Sequence, residues 1–163
     1  MKTSLFWLGL MFIAVSGAWM IRNKESILTD GRTVFLELAP RDPRSLMQGD
    51  YMVLRYKIAT DAPKDKLQRR GQVVVRLDDR NVGTFARLGT DQPASSNEVA
   101  IDYRNYGGLE IGAESYFFQE RTGKTFEQAK YAQLKVSPAG ECLLVALHDG
   151  NLQLLKHEDV AQK

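Results

Sequence analysis

Apolar and polar residues follow two different patterns along this chain, and the change comes after residue 22. From Thr3 to Ile21 there is no charged side chain, while Lys2 precedes the run and Arg22 and Lys24 follow it. As a helix that run reaches about 28 Å, close to the roughly 30 Å hydrocarbon thickness of a bilayer. Trp7 and Trp19 lie near its two ends, where interfacial anchors sit. The pattern predicts a transmembrane anchor over residues 1–22. The alternative is a cleavable signal peptide, with Ser16 and Ala18 as the small residues before a cut. Basic residues flank both ends, so charge alone does not orient the segment. A single N-terminal anchor followed by a folded domain usually exports that domain, and the extracytoplasmic side is expected.

Residues 23–32 are polar with a helical tinge and read as a stalk. Beyond them, across residues 33–163, the period becomes two. "RTVFLELAP" places Val34, Leu36 and Leu38 on one face of a strand that Pro40 ends. In "YMVLRYKI", Met52, Leu54, Tyr56 and Ile58 share one face. "GQVVVRLDDRNVGTFARL" reads as a hairpin, with Val73, Val75 and Leu77 pointing inward and Asp78 to Asn81 forming the turn. Val99, Ile101 and Tyr103 mark another strand, and "YGGLEIGAESYFF" is an extended piece broken by glycines. One short helix is expected in "TFEQAKYAQL", where Thr125 and Gln128 have capping-box spacing. "AQLKVSP", "ECLLVALHDG" and "NLQLLK" follow as strands, and the continuous apolar run of the second predicts a central strand covered on both faces. The expected fold is mainly β: a single antiparallel sheet, barrel-like, of about eight or nine strands with one or two short helices.

Composition narrows the function. The 163 residues suffice for one ordinary core. The net charge is only +2, and the densest basic cluster, Lys64, Lys66, Arg69 and Arg70, is diluted by Asp61 and Asp65. A nucleic-acid partner is therefore not expected. Cys142 is the one cysteine; among Leu143, Leu144, Val145 and Leu147 it reads as a small buried apolar residue. His148 and His157 lack metal-ligand spacing, and "DDRN" has too few carboxylates for a calcium loop. No metal or cofactor is expected.

The segment "RDPRSLMQGDYMVLRY" carries the most specific signal. Gly49-Asp50-Tyr51, Leu54 and Tyr56 fit G-D-Y-x-x-L-x-Y, and here the chain resembles the GDYXXLXY family of bacterial proteins. "APRDPRSLMQ", "ESYFFQERTG" and "AKYAQLKV" continue the resemblance from about residue 30 onward. It implies a membrane-anchored protein often encoded beside, or fused to, multi-spanning membrane proteins, and it implies no activity. Where relatives tend to read Pro-Glu-Gly after the Tyr-Phe pair, this chain has Gln119-Glu120-Arg121.

Two readings of the motif stand side by side. In the structural one, Leu54 and Tyr56 pack in the core, Gly49 supplies a positive φ, and Asp50 bonds the same turn. In the functional one, Arg41, Asp42, Arg44, Asp50 and Tyr51 form a binding loop whose guanidiniums clamp a carboxylate or phosphate. A second loop, with Glu114, Tyr116 and Glu120, is the secondary candidate, although its aromatics also suit the core. A rival enzymatic class is a signal-peptidase-like Ser/Lys hydrolase using Ser45 with Lys57 or Lys66, but such a lysine must be desolvated. Lys57 falls on the wet face and Lys66 in the most polar stretch. The sequence thus favours a non-enzymatic accessory or sensor subunit, with membrane lipid around its helix and an integral membrane protein as partner.

Overall fold

The computed structural model describes residues 2–39, 51–89, 94–117 and 123–156. Its first element, α1 (Lys2–Asp30), is one continuous helix. The polar segment read as a stalk forms the last turns of that helix, so the helix runs directly into the domain. Ile27, 3 % exposed, is where it docks. The Gly31 N–H donates to the Ile27 carbonyl at 3.0 Å, and Lys135 Nζ donates to the Gly31 carbonyl at 3.1 Å. Further back, Lys24 pairs with Glu141 at 3.3 Å. Trp7, Leu8, Leu10, Met11, Phe12, Ile13, Val15, Trp19, Met20 and Ile21 are all at least 48 % exposed. Among the described residues no helix is long and apolar enough to cross a membrane.

Nine strands follow among the described residues: β1 (Arg32–Glu37), β2 (Tyr51–Val53), β3 (Arg70–Leu77), β4 (Val82–Leu88), β5 (Glu98–Asn105), β6 (Leu109–Glu110), β7 (Ser115–Phe117), β8 (Tyr131–Val136) and β9 (Cys142–His148). Seven form a sheet in the order β6-β5-β3-β4-β1-β8-β9, while β2 and β7 form a separate two-stranded sheet. Two short helices complete the domain, α2 (Lys57–Asp61) and α3 (Gly123–Phe126). The alternation of apolar residues is borne out. Val34, Leu36, Val73, Val75, Leu77, Val99, Ile101 and Tyr103 are all buried in one cluster with Met52, Leu54, Tyr56 and Ile58. The small sheet and α2 therefore share the core of the large sheet. The expected hairpin is also present: the Asp78 carboxylate accepts from the Arg80 and Val82 N–H groups at 2.8 Å each, and Asn81 takes the positive φ of 61° that asparagine tolerates.

Five expectations need correction. The large sheet is mixed, because β1 runs parallel to β4 and antiparallel to β8. Side chains alternate with period two in both directions of pairing, so periodicity does not carry strand direction. Nor is the sheet a closed barrel or a single sheet. It curls until the turn between β8 and β9 meets β5, where the Asp102 N–H donates to the Gly140 carbonyl at 2.9 Å, but the edge strands β6 and β9 do not pair. The apolar strand β9 lies at an edge, not the centre, and Val145 is 41 % exposed. An apolar run is compatible with either place, because an edge strand beside a core still covers one face.

The fourth correction concerns the helix expected in "TFEQAKYAQL". The observed helix ends at Phe126, close to where the expected one begins. Phe126 is 1 % exposed, and the chain must turn at once to enter β8, with the Ala129 N–H donating to the Phe126 carbonyl at 3.1 Å. Likewise "NLQLLK" contributes only a bridge between Leu154 and His148.

Charge is used sparingly inside. Glu98, almost fully buried, pairs with Arg87 at 2.7 Å and with Arg76 at 3.6 Å, and the Arg87 hydrogen bond holds its carboxyl below the usual carboxylate range. Ile27 offers a direct test of the helix junction. Replacing it with alanine removes the apolar contact on which α1 docks, and a loss of about 2 to 4 kcal/mol is expected. Chemical denaturation of the full chain in detergent reads this loss.

Candidate functional site

Tyr56 closes the family-like motif on a buried hydrogen bond. The residue is 2 % exposed, and its hydroxyl donates to the Ala113 carbonyl at 2.5 Å. Burial, with Cys142 and Glu114 adding negative charge, raises its pKa well above the usual phenol value, so the group stays a donor. Around it the backbone is tied twice more: the Leu54 N–H donates to the Glu114 carbonyl at 2.6 Å, and the Ala39 N–H to the Arg55 carbonyl at 2.8 Å. Leu54 and Tyr56 thus act as packing and anchoring groups.

The described ends of the two candidate loops lie side by side. Tyr51, the first residue of β2, is the cross-strand partner of Phe117, the last residue of β7. The segment carrying Arg41, Asp42, Arg44, Ser45 and Asp50 therefore enters the small sheet beside the point where the segment carrying Glu120 leaves it. Those six residues lie outside the described ones. Of the rest, Glu114 braces a turn, its Oε1 accepting from the Ile111 N–H at 2.6 Å and the Gly112 N–H at 3.2 Å. Tyr116 packs against Phe126 with ring centroids 5.2 Å apart, and burial raises its pKa. On the outer face of this sheet Val53 and Phe117 are exposed. Lys57 Nζ donates to Glu37 at 2.8 Å, and that bond raises its pKa, the opposite of what a lysine base requires. Lys66 is exposed in a 3-10 turn over Lys64–Lys66.

Sequence reasoning missed one concavity. A cleft of about 650 Å³ opens between the domain end of α1, the starts of β3 and β9, and the end of β5. Lys24, Arg70, Arg104 and Tyr106 line it with Gln72, Asp102, Glu110 and Glu141. Two of its carboxylates are engaged: Asp102 accepts from Gln72 Nε2 at 2.7 Å, and Glu141 pairs with Lys24. Gly140, at φ +99°, seals one wall, since a Cβ there would lie 2.7 Å from Asp102 Oδ1 and 2.9 Å from Gln72 Nε2. Arg70 and Arg104 face each other across β3 and β5 as register partners. The hints in the sequence were the basic cluster that ends in Arg70 and an arginine at opposite ends of two strands, "RGQVVVRL" and "EVAIDYRN", which become neighbours once those strands pair antiparallel.

Cys142 also lines this cleft, half-buried, its Sγ donating to the Ile111 carbonyl at 3.3 Å. Burial pushes the thiol up to about 12. His148 is buried edge-on to Phe35, with centroids 5.1 Å apart, and burial lowers its pKa. Among the described residues no three His, Cys, Asp or Glu side chains gather as a metal-binding group.

The family model described as GDYXXLXY protein matches residues 13–147, most of the chain, and the chain belongs to that family. The match spans the strands that build the large sheet as well as the motif around Tyr56. No curated protein and no solved structure was found to match the chain.

Two outcomes follow from this geometry. Tyr56→Phe leaves the Ala113 carbonyl buried without its donor, and a loss of about 1 to 2 kcal/mol is expected in a denaturant titration. Cys142 is expected to resist alkylation in the native state: a thiol pushed from 9.0 to about 12 holds roughly a thousandfold less thiolate at neutral pH. Mass spectrometry after iodoacetamide treatment, with and without denaturant, checks this.

Proposed function

We propose that this chain is a membrane-anchored accessory or sensor subunit, with α1 as its anchor and its β-rich domain held on the extracytoplasmic side against an integral membrane protein. One observation carries the reading: successive large apolar residues from Trp7 to Ile21 are exposed around α1. A helix apolar on every side is stable only where something else surrounds it, and lipid or partner helices supply that environment. Thr3-Ser4-Leu5-Phe6 lengthen the uncharged run on its N-terminal side. The partner is met at the outer face of the small sheet, where Val53 and Phe117 are exposed and where the Arg41–Tyr51 segment enters. No catalytic constellation competes with this reading among the described residues, and Lys57 is committed to Glu37.

The test uses the full chain in its native membranes. Intact mass should show the N-terminal segment retained, and alkaline carbonate should leave the chain in the membrane fraction. A photo-crosslinking residue at position 117 should then join it to one integral membrane protein, while the same residue at position 80, on the far β3–β4 turn, should not. Release by carbonate, cleavage after Ala18, or identical adducts from both positions would overturn the proposal.

A further inference from the structure

Arg70 and Arg104, both exposed to solvent, place two like charges side by side on the sheet. They are directly opposed on neighbouring antiparallel strands, so their side chains leave the sheet on the same side. Like charges so placed repel and destabilise the pair. Both line the 650 Å³ cleft, and among the described residues neither side chain has a hydrogen bond or an ion pair. The nearby carboxylates offset the repulsion only in part. Asp102 is held by Gln72 and Glu141 by Lys24. Glu110 is the register partner of Arg104 on the other side and forms no ion pair with it.

We infer that the cleft is a binding site for a single phosphate group, clamped between the Arg70 and Arg104 guanidiniums. One arginine suffices to saturate a planar carboxylate through its fork, whereas two forks arriving from different strands suit the several oxygens of a tetrahedral phosphate. Lys24, on α1, stands on the same cleft and gives up only an exposed ion pair with Glu141 to join them. Glu110, beside Arg104, repels a second anionic group on that side, which selects a monophosphate over a polyphosphate. The volume exceeds that of a bare ion and accommodates the organic group that carries the phosphate, within the usual range of ligand pockets. Tyr106, 66 % exposed at the rim, offers a flat face for that group.

Two sources supply this chemistry. A soluble phosphate ester would enter from solvent. A phospholipid headgroup would enter from the side of α1, because Lys24 lies only two residues beyond Arg22, the first charged residue after the apolar run. The site depends neither on a protein partner nor on the orientation of the helix, so it stands or falls apart from the accessory-subunit reading.

The experiment measures thermal unfolding of the full chain in a phosphate-free maltoside detergent at constant ionic strength. Inorganic phosphate is added in one arm, and phosphatidic acid is doped into the micelles in the other. A saturable rise in Tm of roughly 5 °C at a hundredfold excess over Kd is expected for the wild type in at least one arm. A rise with inorganic phosphate points to a soluble ester, and a rise with phosphatidic acid alone points to a headgroup. Arg70→Gln and Arg104→Gln should lose this rise, while in the absence of phosphate their Tm should equal or exceed that of the wild type, because the repulsion is gone. Arg80→Gln, on the distant turn, should respond as the wild type does. Absence of any rise in both arms, or an equal rise in the Arg70 and Arg104 variants, would overturn the inference.

Discussion

The fold depends on the burial of one hydroxyl. The large sheet can bury its inner face only if something lies across it, and β2 and β7 are three residues each, too short to be stable on their own. Tyr56 ties them down. Its ring fills the core, and its hydroxyl reaches the Ala113 carbonyl in the turn that leads into β7. The same turn is braced by the Glu114 carboxylate and held to β2 by the Leu54 N–H. A phenylalanine would fill the space but lose one tie to the turn, and an aliphatic residue would leave a void as well. The tyrosine thus satisfies packing and polarity in one side chain, and the last position of the family motif is accounted for.

How much of this was visible in the sequence varies from element to element. Val34 and Leu36, Val73, Val75 and Leu77, and Val99, Ile101 and Tyr103 were legible because a half-buried strand must alternate, and they are buried as the pattern required, whereas Val74 is buried against it. Strand direction was not legible, since the parallel pairing of β1 with β4 leaves the same period as an antiparallel one. The position of β9 was misread because an apolar run reports how much surface is covered, not what covers it. The helix near Thr125 was misread because its local signals had to yield to the demand that Phe126 be buried and β8 begin at Tyr131.

The candidate sites divide along the same line. The motif loop stood out because its unusual residues are adjacent in sequence, and the pairing of Tyr51 with Phe117 brings the second candidate segment beside it. Glu114 and Tyr116, singled out for chemistry, turned out to hold a turn and a ring contact. The cleft went unnoticed because its parts come from Lys24, Arg70, Arg104 and Glu141, distant stretches of chain that only the folded sheet assembles. Arginines at strand ends do not reveal that they face each other until the register that opposes them is known.

The seam where the curled sheet nearly meets itself has a further consequence. Across it run the backbone bond from Asp102 to Gly140, the Gln72 side chain to the Ala139 carbonyl, and the Cys142 thiol to Ile111. Among the described residues no strand ladder crosses this line, so its two sides can part without breaking any of the β-pairings seen here. Such a junction opens at far lower free energy than the ladders around it. Amide protons at the seam would therefore exchange with solvent through local breathing, long before those of β3 and β1. One wall of the cleft belongs to this seam, so the same breathing would be felt at the cleft.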